Sequence, residues 1–94
     1  MLSDVIDKVA QLGDKDYWIL YVRSSATDVL QTLNRIEMLD KANIDLEDAD
    51  REKLVENLAD LIISVDALSV SCGLDDPIAK EIENRLKSFE RCKR

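Results

Sequence analysis

Histidine is absent from this chain, and its two cysteines, Cys72 and Cys92, have no CxxC spacing. A zinc site and a Cys–His nucleophile pair are excluded on those grounds. Only two Gly and one Pro interrupt the sequence, and the aromatic side chains are Tyr17, Trp18, Tyr21 and Phe89 alone. Leu, Ile, Val and Ala must therefore build the core. Uninterrupted apolar runs are only a few residues long, so no membrane span is expected. There is no basic segment followed by an apolar stretch and a cleavage site. With two free thiols, this points to a reducing cytoplasm. Cations are also in short supply: 13 Lys and Arg stand against 20 Asp and Glu, a net charge of −7. They gather only near the C-terminus, which argues against duplex nucleic acid as a partner.

What is present is apolar and charged side chains in helical rhythm, 46% and 35% of the chain respectively. The few turn formers predict an all-α protein rather than a disordered one. Ninety-four residues give one domain, 1–94, with no room for a second core. A chain of this length buries only roughly 60–65% of its unfolded surface, so self-association is an obvious further source of stability.

Four helices can be read. The first opens at Ser3 as N-cap, places Val5, Ile6, Val9 and Ala10 on one side and stops at Gly13. The second runs from Asp14–Asp16 to about Lys41, with Ile19, Val22, Ala26, Val29 or Leu30, Leu33 and Ile36 as its stripe. Ser24 and Ser25 mark a place where it could break. Residues 40–49 form the one long connection. The third helix runs from about Asp48 or Asp50 to Cys72. Leu54, Leu58, Leu61, Val65, Leu68 and Cys72 form its main stripe, and Val55, Ala59, Ile62, Ile63 and Val70 a second one on the far side. A helix apolar on two faces must be covered twice, and a partner subunit is the simplest cover for the outer face. Gly73 stops this helix. Asp76 as N-cap and Pro77 at the first helical position start the last one, with Ile78, Ile82, Leu86 and Phe89 on one face. The sum is a four-helix bundle with short connections.

Chemistry is sought along the polar seam of the third helix, where Asn57, Asp60, Ser64 and Ser71 fall beside the main stripe. On the second helix Asp28 and Gln31 lie one turn apart. Oxygen ligands from two facing helices suit Mg²⁺, and a bound Mg²⁺ would hold nucleotide phosphates. Asp66 interrupts an apolar run; an interface ion pair or a site residue is one reading, and an exposed notch is the favoured one, because charges are seldom fully buried. Glu37 and Asp40 read as surface charges at a helix end, Cys72 as core packing and Cys92 as tail. Lys80, Asn84, Lys87 and Arg91 form a mostly basic row on the last helix. That row suits phosphate, or equally a solvated face whose cations favour the helix C-terminus.

Asp50 to Ile62 (Asp-Arg-Glu-Lys-Leu-Val-Glu-Asn-Leu-Ala-Asp-Leu-Ile), then Gly73-Leu74, then Lys80, Asn84 and Lys87 at helical spacing, together resemble the MazG-type all-α nucleoside triphosphate pyrophosphohydrolases. The related phosphoribosyl-ATP pyrophosphohydrolases are similar too. The resemblance covers about residues 16–91 and is strongest from 50 to 91. It implies a helical protomer that forms dimers or tetramers. It also implies a Mg²⁺ site built from Glu-Glu-x-x-Glu on one helix and Glu-x-x-Asp on a later one, which activates water against the α–β phosphate linkage. The second motif falls on Asn57-Leu58-Ala59-Asp60, with Asn in place of Glu. The first falls on Thr27-Asp28-Val29-Leu30-Gln31, where Asp28 alone is a carboxylate.

By this resemblance Asp28 and Asp60 would hold Mg²⁺, with Gln31 and Asn57 as neutral neighbours, and Lys80, Asn84 and Lys87 would take phosphate. Exchanging anionic ligands for amides keeps the shape of a Mg²⁺ site and removes most of its attraction. The leading expectation is a MazG-like dimer-forming protein with a degenerate Mg²⁺ site. It would bind a nucleotide or a protein partner, with little or no hydrolysis. Two alternatives stand beside it: an active Mg²⁺-dependent pyrophosphohydrolase converting NTP to NMP and pyrophosphate, and an unrelated helical oligomeric interaction module.

Overall fold

Local signals set the helix ends. A computed structural model describes residues 4–92, and among them the elements are α1 (Asp4–Ala10), α2 (Lys15–Lys41), α3 (Asp48–Ser71) and α4 (Asp75–Cys92), with no strand. The Asp14 side chain caps α2 by accepting from the Tyr17 N–H at 2.8 Å. The helix then runs unbroken through Ser24 and Ser25. Its far end closes as a Schellman motif: Asn43 takes the left-handed conformation (φ 57°), Ile44 N–H donates to Leu39 O, and Asn43 N–H donates to Asp40 O. Residues 42–47 are thus the whole connection to α3, shorter than the sequence suggests.

The end of α3 repeats the device. Gly73 sits at φ 66°, Leu74 N–H donates to Ser69 O, and Gly73 N–H donates to Val70 O. One expectation shifts here. α4 begins at Asp75, and Ile78 N–H already bonds Leu74 O, so Asp76 lies inside the first turn rather than at its cap, and Pro77 is the third helical residue rather than the first. Proline is tolerated there because first-turn N–H groups have no intrahelical acceptor. The N-cap expected at Ser3 lies outside the described residues.

Helices α2 and α3 form an antiparallel hairpin, since Trp18 packs against Ala67 while Thr32 meets Asn57 and Arg35 meets Asp50. Helix α1 packs on α3. Trp18 anchors this corner: its buried indole Nε1–H donates to Ala10 O at 2.9 Å, with Ala67 beside it and Val9, Leu68 and Val70 around it. Tyr17 and Tyr21 extend the cluster outward, and the Tyr17 ring meets Trp18 edge-on at 4.9 Å. From α1, Ile6 and Ala10 are buried and Val5 is exposed.

The inward face of the hairpin departs from the reading by hydrophobic stripes. Five residues of α3 are buried: Asn57, Ser64, Asp66, Ala67 and Ser69. On α2 they are Trp18, Ser25, Val29 and Thr32. Leu54, Leu61 and Leu68 are half-buried at the margins, while Leu58, Val65, Ile62 and Ile63 face outward. The physical reason is size: small side chains let two helix axes approach, and the hydroxyls among them have local acceptors. Ser64 Oγ donates to Leu61 O and Ser69 Oγ to Val65 O. Cys72, expected in the core, is exposed.

Helix α4 stands apart. Its contact is with α3, Ile78 is half-buried, and every residue from Ala79 to Cys92 is exposed. The apolar face of Ile82, Leu86 and Phe89, expected to complete a bundle, is uncovered within the chain. No helix among the described residues is long and apolar enough to cross a membrane.

Candidate functional site

The middle of the α2/α3 seam holds the residues that sequence reasoning selected. Asn57 is buried, and its Nδ2 donates to Thr32 Oγ1 at 2.6 Å and to the backbone carbonyl of Asp28 at 3.3 Å. Its amide N–H groups are therefore spent on joining the two helices. Asp28 comes close to Asn57 through its backbone, while its side chain, like those of Gln31 and Asp60, belongs to an exposed residue. Thr32 was not selected from sequence. The signal lay in its place on the face of Trp18, Ser25 and Val29, at helical steps of seven, four and three.

One turn further toward the connection, Gln31 and Thr32 line an open groove of about 410 Å³ with Arg35, Ile36, Ala49, Asp50 and Lys53. Arg35 Nε meets Asp50 Oδ1 at 2.9 Å, and Asp50 Oδ2 accepts the Glu47 N–H at 3.2 Å, which ties the start of α3 to α2. The Arg35 hydrogen bond, followed by that from the Glu47 N–H, holds the Asp50 carboxyl below the usual carboxylate range, and the same pairing raises the Arg35 guanidinium. A second open groove, about 740 Å³, includes Glu37, Asp40, Asp45 and Arg51 in its lining. Glu37 there also pairs with Lys41 at 3.0 Å.

Two placements differ from expectation. Asp66 is 1% exposed, so it lies inside the fold rather than in an outer notch. Of the polar positions read beside the α3 stripe, Asn57 and Ser64 turn inward whereas Asp60 and Ser71 are exposed. Lys80, Asn84 and Lys87 are exposed on α4. Lys87 pairs with Glu83 of its own helix at 3.6 Å, and among the described residues no ion pair or hydrogen bond joins this row to Asp28 or Asp60.

Comparisons with protein-family models, curated proteins and solved structures find no match for the chain. Asp28 and Asp60 supply two carboxylates at exposed positions; Gln31 and Asn57 supply amides, one of them committed to the seam. Among the described residues no group of three or more acidic or thiol side chains is placed to hold a metal ion. A Mg²⁺ centre that binds phosphates and acidifies water draws on concentrated negative charge. At the expected positions only Asp28 and Asp60 carry negative charge.

Proposed function

We propose that the chain is a helical interaction module on a MazG-like scaffold, acting through its surfaces rather than by hydrolysing nucleotides. One observation carries this reading. At the position where the resembling hydrolases have a metal-binding glutamate stands Asn57, whose amide is a structural cross-link to Thr32 and the Asp28 carbonyl. An amide so used holds two helices in register and adds no charge for a cation. The outward Leu, Ile and Val side chains of α2, α3 and α4 supply what a binding module needs, an extensive apolar surface.

Pyrophosphate release tests the reading. With Mg²⁺ and a panel of NTPs and dNTPs, product is expected to stay at the enzyme-free blank. Turnover that disappears in Asp60→Ala would overturn it in favour of a pyrophosphohydrolase. Thermal stabilisation by a nucleotide without product would instead make the nucleotide the bound partner.

A further inference from the structure

Carboxylates meet an apolar hollow at the connection between α2 and α3. The open groove of about 740 Å³ there is floored by Leu33, Ile36, Ile44 and Leu46. Ile44 is 56% exposed and Leu33 45%, so much of that floor is open to solvent. Glu37, Asp40 and Asp45 edge the groove, and Arg51 is the cation in its lining. Glu37 is shared with Lys41 at 3.0 Å, whereas Asp40 and Asp45 enter no ion pair among the described residues.

Both walls of the groove are built before any ligand arrives. The α2 wall ends in the Schellman turn at Asn43, where the Ile44 N–H is bonded back to Leu39 O. The α3 wall starts with the Glu47 N–H donating to Asp50, which is tied in turn to Arg35 of α2. A preformed groove spares its ligand the cost of ordering a loop. The charge at the rim is negative: even with Lys41 counted beside Arg51, carboxylates outnumber cations. The C-terminus of α2 adds the negative end of its helix dipole, and the opposing positive end of α3 is offset by Asp48 and Asp50 in its first turn. Phosphate and nucleic acid are therefore repelled, while an apolar group that carries positive charge suits both floor and rim. The volume is that of a pocket for a drug-sized ligand, enough for one or two anchor side chains of a longer segment.

We infer that the groove at the α2–α3 connection docks a basic segment of another protein, which seats an apolar side chain on Leu33 and Ile44 and sets a flanking Lys or Arg against Asp40 and Asp45. The inference names the chemistry of a partner for the module proposed above and rests on that reading. Pyrophosphate release by a chain that binds such a segment would defeat the module and leave the docking site standing; an inactive chain that ignores the segment would do the reverse.

Fluorescence anisotropy tests it with a short labelled peptide of Leu and Lys in helical rhythm, beside a counterpart of Leu and Glu. Titration with the full chain is expected to saturate for the Lys probe and to be weaker for the Glu probe by roughly 10-fold or more. Asp40→Lys, Asp45→Lys and Ile44→Ser, all at exposed positions where the fold is not at stake, are each expected to weaken the Lys probe about 10-fold. Asp16→Lys, exposed at the far end of α2, is expected to stay within about 2-fold of wild type. Spermidine, which carries charge without an apolar anchor, is expected to displace the probe only at an excess of about 100-fold. The absence of saturable binding would overturn the proposal, as would equal affinity for the Glu probe, or a loss in Asp16→Lys as large as that in Asp40→Lys. Displacement by equimolar spermidine would reduce the groove to a bare cation site, and a probe that splits self-associated chains would assign it to a second copy; either result also overturns the proposal.

Discussion

Asn57 and Thr32 stand 25 positions apart and are joined by a 2.6 Å hydrogen bond. Truncating a buried side chain of this kind removes the bond and strands a hydroxyl, at a cost of about 1–3 kcal/mol. Asn57→Ala is therefore expected to lower the unfolding free energy, read from urea titration, by that amount. Asp60→Ala, at an exposed position one turn on, is expected to stay within about 0.5 kcal/mol of wild type. Equal effects of the two would contradict the structural role given to Asn57. The Asp50 carboxyl makes a second prediction. Its folded pKa lies below the ordinary value because Arg35 and the Glu47 N–H favour the ionised form. In acid the unfolded chain takes up this proton first, so the stabilisation is complete above roughly pH 5 and fades as pH falls through the folded pKa. Urea titrations of wild type and Asp50→Asn should differ near neutrality and converge in acid; a gap that widened in acid would reverse the sign.

At the scale of elements, helix ends were legible and helix faces were not. Asp14 and Gly73 announce their turns because capping and the left-handed conformation depend on one or two residues. Gly73 has open space around it, so Gly73→Ala meets only the backbone strain of φ 66°, about 1–2 kcal/mol, measurable as a loss of thermal stability. No loss would mean that the α3–α4 turn relaxes. The α3 stripe from Leu54 to Cys72 was expected to point inward, and the seam instead took Asn57 and Ser64. Hydrophobic periodicity marks a face that needs cover without saying whether the same chain provides it. The α2 and α3 stripes remained visible in sequence while the inward, small-residue positions did not. For the same reason Asp28, Gln31 and Asn57 were placed near one another on the hairpin, but the spending of the Asn57 amide on Thr32 depends on a cross-helix distance that spacing alone does not contain.

For the whole molecule the governing facts are its shape and where its large side chains lie. Principal extents of 45 × 40 × 20 Å describe an open slab with α4 extended from a helical hairpin. Such a slab leaves Leu30, Ile62 and Leu86 in water, and burying them is worth about 25 cal/mol per Å² of apolar area. Self-association, expected from the two-sided apolar pattern of α3, is proposed to supply that burial. Small-angle scattering on the purified wild type measures mass and radius together. The account predicts a particle of twice 10.7 kDa that holds its mass on dilution through the low micromolar range. A 10.7 kDa particle whose radius of gyration falls toward about 12.4 Å would contradict it, because α4 would then be closing on its own chain.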